Sequence, residues 1–511
     1  MNKTALTKTY TKDIQNSCLN SKKIVLSLAA ISFSASCTHA TLTPEIETYE
    51  EATNRHTKAR SGVRSTNSNN KTINNLQTST QTVSNTGNTL VIESGGTITI
   101  SNGSQQAVNF TQGSSTSTFL NQGTLIGGNN AASVQLGENR NNGVTIETFN
   151  NQGIIGNGSS QFGVTVWGTN SSKSTINNFS NSGTIHSNTG ESIYFGNANI
   201  SSFVNSRTIK SKQGTGVNIS QGTSIENFNN TGTIEGKSDG IRINANVKTL
   251  INKGTIKGHA TSIRSLGGTI DQLINEGIMD GKSAGIYMSG GRVKTLINKG
   301  TINHTDSSVG WGAGIKLENG STIENIINTG TVNSAGFGIA VTHGKFGTLT
   351  IKDGGKVYGK YEGIGVGQWQ TLGDLYIDGS SSNGTVSGIY SDQRGISLDA
   401  NSRTQKIELK NGGIIKGKVH GIRLDNGASL SGEMILSGKG SRVEGGSGAG
   451  ILNRSGKITG SITIKDGATV TATSNRAIVN HRSGSITGGI TVSGKNTKLQ
   501  GNIINMGNAS I

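Results

Sequence analysis

The chain has 511 residues, of which 76 are Gly, one is Pro and only 4% are aromatic, and its formal net charge is +17. A compact globule of this length would need a richer apolar core and would divide into several domains. The basic residues are scattered and are not interleaved with aromatic residues, which argues against nucleic acid as a partner. Solvated faces on a long rod explain the charge, and attraction to acidic surfaces such as host glycans is the alternative explanation.

The amino-terminal segment, residues 1–40, has the pattern of an export signal. Two lysines precede an apolar run over residues 24–33 that is too short to span a bilayer, and a plausible cleavage site ends at Ala40. The two cysteines of the chain, Cys18 and Cys37, lie within this segment. Cleavage would leave no disulfide and no thiol chemistry, whereas lipid attachment at Cys37 is the alternative.

The next segment, residues 41–84, is rich in Ser, Thr and Asn and carries several basic residues. We predict that it is a flexible polar lead-in and that repeats form residues 85–511. The chain ends in the middle of a repeat, because Ile511 stands where Ile486 stands in the copy before it. A natural solenoid ends in a cap, so we expect a truncated solenoid that is the front part of a longer protein.

A repeat built around one Asn dominates the chain from about residue 116 to 334. Its clearest copy, at residues 248–258, reads KTLINKGTIKG. In nearly every copy apolar residues stand five and two places before the Asn and four places after it, and Gly stands two places after it except at Arg207. Successive copies lie 22 to 30 residues apart, a period typical of stacked structural repeats. The Asn residues of this series are Asn121, Asn151, Asn181, Asn205, Asn230, Asn252, Asn275, Asn298 and Asn328.

A further short alternating apolar run follows later in most copies. Each repeat therefore holds about three strands with Gly, Asn or Ser turns between them, and none shows the apolar period of a helix. We predict an all-β fold, a right-handed parallel β-helix that forms a single solenoid of about 16 coils with three short strands per coil. Leucine-rich repeats also have an Asn turn, but their apolar residues flank the Asn at other offsets.

The repeated Asn has a physical role in the predicted fold. A sharp turn needs one residue in the left-handed conformation, which Asn tolerates better than other non-Gly residues, and the Gly that follows frees the backbone further. We also expect the amides of successive coils to form hydrogen bonds along a stack. A second repeat family continues the series at Asn426, Asn453, Asn480 and Asn505.

The long export signal, the cysteine-free mature chain and the Asn-x-Gly-Thr-Ile repeats resemble the passenger domains of Gram-negative autotransporters (type V secretion), including vacuolating-cytotoxin-like members. The resemblance covers roughly residues 85–511. It implies a pectin-lyase-like β-helix that passes through the periplasm to the cell surface, the outer membrane or the extracellular space. It also implies a translocating outer-membrane β-barrel as a partner, which we expect to be absent from this chain because the long alternating strands of a barrel are missing.

Acidic residues are the strongest candidates for catalysis. Asp374 and Asp378 lie four residues apart and would face one side of a coil as an acid pair, with Asp392, Arg394 and Asp399 nearby. β-Helices that cleave polysaccharides use Asp clusters together with Arg or Lys, so this pattern fits such an enzyme. Isolated carboxylates in turns explain these residues better, and we therefore predict no catalytic residue.

The remaining polar and aromatic candidates are weaker. The eight His residues show no metal-ligand spacing, and we predict no metal and no other cofactor. Trp167, Trp311 and Trp369 lie far apart in the sequence, which favours separate packing roles over surface contacts.

These features predict a structural and binding protein rather than an enzyme. The expected function is adhesion, autoaggregation or another host interaction, through many weak contacts of a polar rod with host cell surfaces, with glycans or with further copies of itself. A polysaccharide lyase or hydrolase is the first alternative, and it predicts Asp374, Asp392 and Arg394 within contact distance. A fragment of a vacuolating or pore-forming toxin is the second alternative, and it requires an apolar segment that inserts into a membrane.

Overall fold

The computed structural model describes residues 70–84, 86–137, 143–381 and 384–511. The predicted export signal over residues 1–40 and most of the predicted lead-in lie outside this part. The described residues form β-strands and no helix. They build a parallel β-solenoid of about 16 turns with three strands in each turn, which confirms the all-β solenoid that the repeat predicts.

Each turn adds one strand, which we call its first strand, to a 21-stranded sheet. From residue 403 onward the first strand is divided into two short segments. The first strands are Lys71–Ile73, Thr86–Ile92, Ser115–Asn121, Thr145–Asn151, Ser174–Asn181, Ala198–Asn205, Ser224–Asn230, Asn246–Asn252, Thr269–Asn275, Arg292–Asn298, Ser321–Asn328, Gly344–Ile351, Thr371–Asp378, Arg403–Thr404 with Ile407–Lys410, Ser429–Leu430 with Met434–Ser437, Lys457–Ile458 with Ile462–Lys465, and Ser485–Ile486 with Ile490–Ser493.

The second and third strands of each turn belong to a 32-stranded sheet. The second strands are Leu76–Gln77, Thr97–Thr99, Thr124–Ile126, Ile154–Ile155, Thr184–Ser187, Thr208–Ser211, Thr233–Gly236, Thr255–Gly258, Ile278–Gly281, Thr301–His304, Thr331–Ser334, Lys356–Gly359, Gly388–Ser391, Ile414–Gly417 and Arg442–Gly445. The third strands are Gln81–Val83, Val108–Phe110, Ala132–Leu136, Phe162–Trp167, Ile193–Gly196, Val217–Ile219, Asp239–Asn244, Thr261–Gly267, Ala284–Ser289, Ala313–Glu318, Phe337–Val341, Glu362–Val366, Arg394–Leu398, His420–Asp425 and Ile451–Arg454. In the last two turns one strand covers both positions, namely Thr469–His481 and Lys498–Met506.

The solenoid begins earlier than residue 85, which is the start that the repeats predict. Three short strands over residues 71–83 form its first turn, and Lys71–Ile73 pairs in parallel with Thr86–Ile92. Ile73 and Val83 join the common apolar core. Two buried apolar residues among many polar ones give no clear repeat pattern, so the sequence alone does not distinguish this turn from a polar lead-in.

The apolar positions of the repeat stack in files inside the solenoid. Residues of successive turns pair in register, for example Ile146 with Ile176 and Phe149 with Phe179. Almost all members of these files are fully buried, and one continuous apolar core runs from Ile73 to residue 486. The prediction that these side chains point inward is therefore confirmed.

The amides of the first Asn series form a continuous buried ladder. In each step from Asn121 to Asn328, the Nδ2 group of one Asn donates to the Oδ1 atom of the Asn in the next turn, at 2.7 to 2.9 Å. The ladder ends where Ile351 stands in register with Asn328. Because a buried amide without a partner is costly, each Asn between the two ends of the ladder depends on both of its neighbours.

The repeated Asn residues do not take the left-handed conformation that we expected. Each of them ends a first strand, whereas the non-Gly residues with positive φ are other turn residues, such as Asn197 and Asn319 at 51°. The Gly two places later has no positive φ either. Its role is close approach, because a Cβ on Gly277 would lie 2.0 Å from the carbonyl oxygen of Gly254. Interior hydrogen bonding and backbone crowding therefore explain the Asn and the Gly of the repeat.

Arg207 shows what a side chain does at this glycine position. The backbone N–H of Thr208, the next residue, donates to the carbonyl oxygen of Gly183 at 3.3 Å, whereas the equivalent bond from Thr255 to Gly232 measures 2.9 Å. The Cβ of Arg207 therefore loosens the contact between two turns, which the Gly of the other copies avoids.

The second repeat family does not continue the first ladder. Asn453, Asn480 and Asn505 form a ladder of their own, with Nδ2 to Oδ1 distances of 2.8 Å in both steps. Asn453 lies in a third strand, where it pairs in register with Leu424 of the turn before. Asn426, which we placed in this series, lies in a turn with a φ of 32°. The Asn residues of the second family are evenly spaced in the sequence, but they occupy different positions around the coil.

Candidate functional site

The predicted acid pair lies on the outer face of one first strand. Asp374 accepts a hydrogen bond from the Tyr376 hydroxyl at 3.3 Å, and Asp378 forms an ion pair with Lys410 at 3.2 Å. Burial raises the pKa of Asp378, but hydrogen bonds from Ser380 and other polar neighbours outweigh it and lower this pKa to about 2. A carboxyl group with such a low pKa stays ionised near neutral pH and cannot serve as a general acid.

The other three predicted residues do not gather around Asp374. Asp392 lies between a second and a third strand and forms an ion pair with Lys418 at 2.8 Å. Arg394 begins a third strand, which belongs to a different sheet from Asp374, and Asp399 follows that strand. The contact of Asp374, Asp392 and Arg394 that the polysaccharide-cleaving alternative predicts is not formed.

A different set of charged groups gathers on the outer face of the third strands. Glu362, Arg394 and His420 stand in register at the start of three successive third strands, and Arg394 forms an ion pair with Glu362. Arg423 and Asp425 form a second ion pair in the last of these strands. We call this group the charged cluster, and its members are Glu362, Arg394, Asp399, His420, Arg423, Asp425 and Arg454.

The electrostatics of the charged cluster are dominated by burial. Burial raises the pKa of Glu362 to about 7, although Arg394 opposes this shift, and burial also raises the pKa of Asp399. Burial and the nearby charges of Arg423 and Arg394 lower the pKa of His420 to about 4. The Nδ1 atom of His420 accepts a hydrogen bond from the backbone N–H of residue 449 at 2.9 Å, so this nitrogen carries no proton.

We predict opposite effects of Glu362 and His420 on stability as the pH changes. The folded-state pKa of Glu362 is raised, so its contribution to stability falls as the pH rises from about 4.5 to about 7. The folded-state pKa of His420 is lowered, so its contribution falls as the pH drops from about 6.5 to about 4. Thermal unfolding midpoints between pH 4 and 8 check this. Glu362→Gln should remove only the first slope and His420→Gln only the second, and unchanged profiles in both variants would contradict the assignment.

A groove with a cavity volume of about 670 Å³ lies beside the charged cluster. Trp311 precedes one third strand and Trp369 follows the third strand two turns later, so the groove crosses the third-strand face. The distance between these two Trp residues in the sequence favours separate packing roles, but the structure brings both of them to one site. We call it the Trp groove, and its lining includes Trp311, Lys316, Glu318, Thr342, Trp369 and Asp399.

Trp311 rests on a small apolar cluster outside the main core. Its indole stacks on the ring of Phe337, with centroids 4.9 Å apart and an interplanar angle of 4°. Phe337 in turn packs against Ala313 and Ala340. Gly365 leaves room for this arrangement, because a Cβ there would lie 2.8 Å from the Phe337 ring. The indole is therefore held in place although Trp311 remains 49% exposed.

Trp369 is exposed on a strained backbone. Its φ is 65°, a conformation that residues with large side chains rarely adopt, and its side chain is 66% exposed. The backbone N–H of Trp369 donates to the carbonyl oxygen of Ala400 at 3.1 Å, which ties this residue to the next turn. The fold therefore holds a large indole in solvent at a conformational cost of about 1–3 kcal/mol.

The polar edge of the Trp groove is a connected network around Glu318. This carboxylate forms an ion pair with Lys316 at 2.8 Å and accepts hydrogen bonds from the Tyr287 hydroxyl at 2.5 Å and from the Thr342 hydroxyl at 3.2 Å. Burial raises the pKa of Glu318, but these partners outweigh it and the net pKa is lowered. Glu318 is therefore ionised near neutral pH and fixes the side chains around it.

Other candidates lie outside the Trp groove. Trp167 packs against Tyr194 with ring centroids 4.4 Å apart. Among the described residues, no group of three or more His, Cys, Asp or Glu side chains is placed to hold a metal ion. The described part of the chain also contains no helix that is long and apolar enough to cross a membrane.

Comparison with known proteins finds no match: no protein-family model, no curated protein and no solved structure matches this chain. The class to which the protein belongs is therefore defined by its fold alone, a parallel β-solenoid with repeated turns.

Proposed function

We propose that this chain is an exported β-solenoid rod that acts in adhesion, autoaggregation or another host interaction. It would cross the periplasm and reach the cell surface, the outer membrane or the medium with the help of an outer-membrane β-barrel, as the autotransporter passengers that its repeats resemble do. Its partners would be host cell surfaces or glycans, and further copies of the rod.

The repetition of the outer surface is the single observation that carries this proposal. About 16 stacked turns present outward positions in register, one strand spacing of about 4.8 Å apart. An array of this kind converts individually weak contacts into strong attachment, because each contact raises the local concentration of the next. A long regular face therefore suits a function of attachment.

Charges on the outer face of the first strands pair between neighbouring turns over residues 226–294. On the outer face of the first strands, Lys248 pairs with Glu226 at 3.0 Å and Lys294 pairs with Asp271 at 2.7 Å. The sign of the charge thus alternates from turn to turn. Along this stretch the pairing favours contacts through hydroxyl and amide groups over attraction of a strongly acidic surface.

A binding assay with the purified chain tests the proposal. We expect the chain to attach to host cells in a flow or pull-down assay, or to self-associate in analytical ultracentrifugation. Attachment should weaken progressively when soluble chain competes for the same surface. Failure both to attach and to self-associate would contradict the proposed function.

A polysaccharide-cleaving enzyme is the second candidate, and the charged cluster is the observation that favours it. Glu362 and Asp399 both have a raised pKa and lie with Arg394 beside the Trp groove. A carboxyl group with a pKa near 7 can donate a proton to a glycosidic oxygen, and a second carboxylate can assist. Glu362, however, is only 6% exposed and paired with Arg394, which favours a binding role for the groove.

Release of reducing ends or of unsaturated sugars from purified polysaccharides separates the two candidates. The proposed binding function predicts no release above a chain-free control. Cleavage that is lost in Asp399→Asn but kept in the matched control Asp374→Asn, which changes a carboxylate in the other sheet, would establish the enzyme instead.

A further inference from the structure

We propose that the Trp groove binds an uncharged, hydroxyl-rich oligosaccharide segment, whose sugar rings pack against Trp311 and Trp369. This inference rests on the proposed function, because it assigns a ligand class to one site of an attachment protein. It differs from the array of weak contacts along the rod, since the groove is a single site built by four successive turns.

The two indoles are the first reason for a sugar ligand. A pyranose ring presents a face of C–H groups that packs well on an aromatic ring, while its hydroxyl groups point sideways. Trp is usually well buried, so two exposed indoles that border one groove indicate a ligand. Trp311 is supported from behind by Phe337, which leaves its other face rigid and ready for contact.

The backbone of Trp369 is the second reason. A left-handed conformation at a bulky residue costs free energy, and such strain persists mainly where it serves a function. The neighbouring Gln370 is fixed by two hydrogen bonds, because it accepts from the N–H of Gly344 at 2.8 Å and donates to the carbonyl oxygen of Gln368 at 2.9 Å. The backbone that carries the indole is thus held in place, which lowers the entropy cost of binding.

The polar groups of the groove match the hydroxyl groups of a sugar. Lys316, Glu318 and Thr342 offer donors and acceptors along one edge, and their mutual bonds fix their positions. The volume of about 670 Å³ falls within the range of about 300–1,000 Å³ that is typical of small-molecule sites. Polar groups in fixed positions between two indoles suit a sugar, because a sugar has hydroxyl groups at its edges and C–H groups on its faces.

The charge of the groove selects a neutral sugar. Lys316 and Glu318 neutralise each other, and Asp399 is the remaining acidic group of the lining. The ion pairs of Lys316 with Glu318 and of Arg394 with Glu362 already neutralise the cations near Asp399, so a carboxylated or sulfated sugar would gain little from them. The groove therefore favours uncharged sugars, although the whole chain is basic.

Titration of the purified full chain with defined sugars tests the inference. Maltohexaose, cellohexaose and mannohexaose are the neutral probes, and hexagalacturonate is the acidic probe. We expect at least one neutral hexasaccharide to change the Trp fluorescence and to bind in calorimetry, and hexagalacturonate to bind more weakly. Trp369→Ala and Trp311→Ala should each weaken binding by about tenfold or more, because each removes one stacking surface.

Trp167→Ala is the matched control, since Trp167 packs against Tyr194 in another part of the solenoid, and it should leave sugar affinity unchanged. Trp369 is exposed, so circular dichroism should show that its Ala variant remains folded.

No response to any neutral probe, equal affinity in Trp369→Ala, or tighter binding of hexagalacturonate would overturn the inference. Attachment of the chain to cells without a sugar response would overturn it and leave the proposed function standing. A sugar response that Trp369→Ala abolishes, without any attachment or self-association, would support the inference and contradict the proposed function.

Discussion

Replacement of Asn252 by Asp is expected to lower the free energy of unfolding by about 3–5 kcal/mol at neutral pH. Asn252 is fully buried; it accepts a hydrogen bond from Asn230 at 2.8 Å and donates to the Oδ1 atom of Asn275 at 2.9 Å and to the carbonyl oxygen of Ile278 at 3.1 Å. A carboxylate keeps the first bond but faces two acceptors with no proton to donate. Urea unfolding followed by far-UV circular dichroism measures the loss.

The pH dependence of the stability of Asn252→Asp shows whether the loss comes from the charge of the new carboxylate or from the change in side-chain shape. Burial and the two facing acceptors should raise the folded-state pKa of the new carboxyl group above its unfolded value of about 3.9. The native state then binds more protons, so stability falls as the pH rises through the interval between these two pKa values, and the variant recovers in acid. Asn227→Asp, at an exposed position of the turn before, is the control and should cost no more than about 0.5 kcal/mol. Equal unfolding midpoints for Asn252→Asp and the unmodified chain would show that the ladder contributes nothing.

The sequence predicted the solenoid because its core is periodic in one dimension. A residue such as Leu250 is buried by its counterparts in the neighbouring turns, so a fixed spacing in the sequence translates directly into a file in the structure. The same spacing does not predict the backbone conformation of Asn252. A turn residue and an inward-facing strand residue would both recur once in every repeat. The left-handed Asn and the placement of Asn426 were therefore wrong for one reason: the period gives the repeat but not the orientation within it.

The charged cluster has a signal in the sequence, but closeness along the chain does not reveal it. The third strands of this region begin with one variable residue followed by Gly-Ile, and that residue is Phe337, Glu362, Arg394 and His420 in four successive turns. Alignment of these Gly-Ile pairs places Glu362 next to Arg394. A search for carboxylates that lie close together in the sequence selects Asp374 as the candidate acid instead, although Asp374 lies in the other sheet.

The Trp groove could not be predicted from the sequence in the same way. Trp311 and Trp369 lie in two different inter-strand segments of irregular length, outside the repeated positions. Their proximity depends on the exact course of these segments and on the small residues Ala340 and Gly365 that admit Phe337 to the outer face. Periodicity carries no information about irregular segments, and the candidate binding site is built from such segments.

Truncation of Phe179 to Ala is expected to lower the free energy of unfolding by about 3–5 kcal/mol. The ring stacks on Phe149 at 4.5 Å and on Phe203 at 4.9 Å, and it meets Phe195 edge-on at 5.9 Å. Its removal leaves a cavity between Phe149 and Phe203, whose strands are held two strand spacings apart by backbone hydrogen bonds, so the two rings cannot close the gap. The effect combines lost apolar burial with lost ring contacts, and thermal and urea unfolding both measure it.

Two further variants decide whether the aromatic file itself matters. Phe179→Leu introduces the residue that Leu250 supplies in the same file, so it should cost clearly less than the Ala variant. Phe162→Ala removes a ring that is only partly buried on a third strand and should also cost less. If Phe179→Ala and Phe162→Ala were equally stable, the stacked rings would contribute no more than a surface aromatic residue. If Phe179→Leu were as damaging as Ala, the contribution would lie in ring stacking rather than in filled volume, because Leu restores most of the volume but none of the aromatic contact.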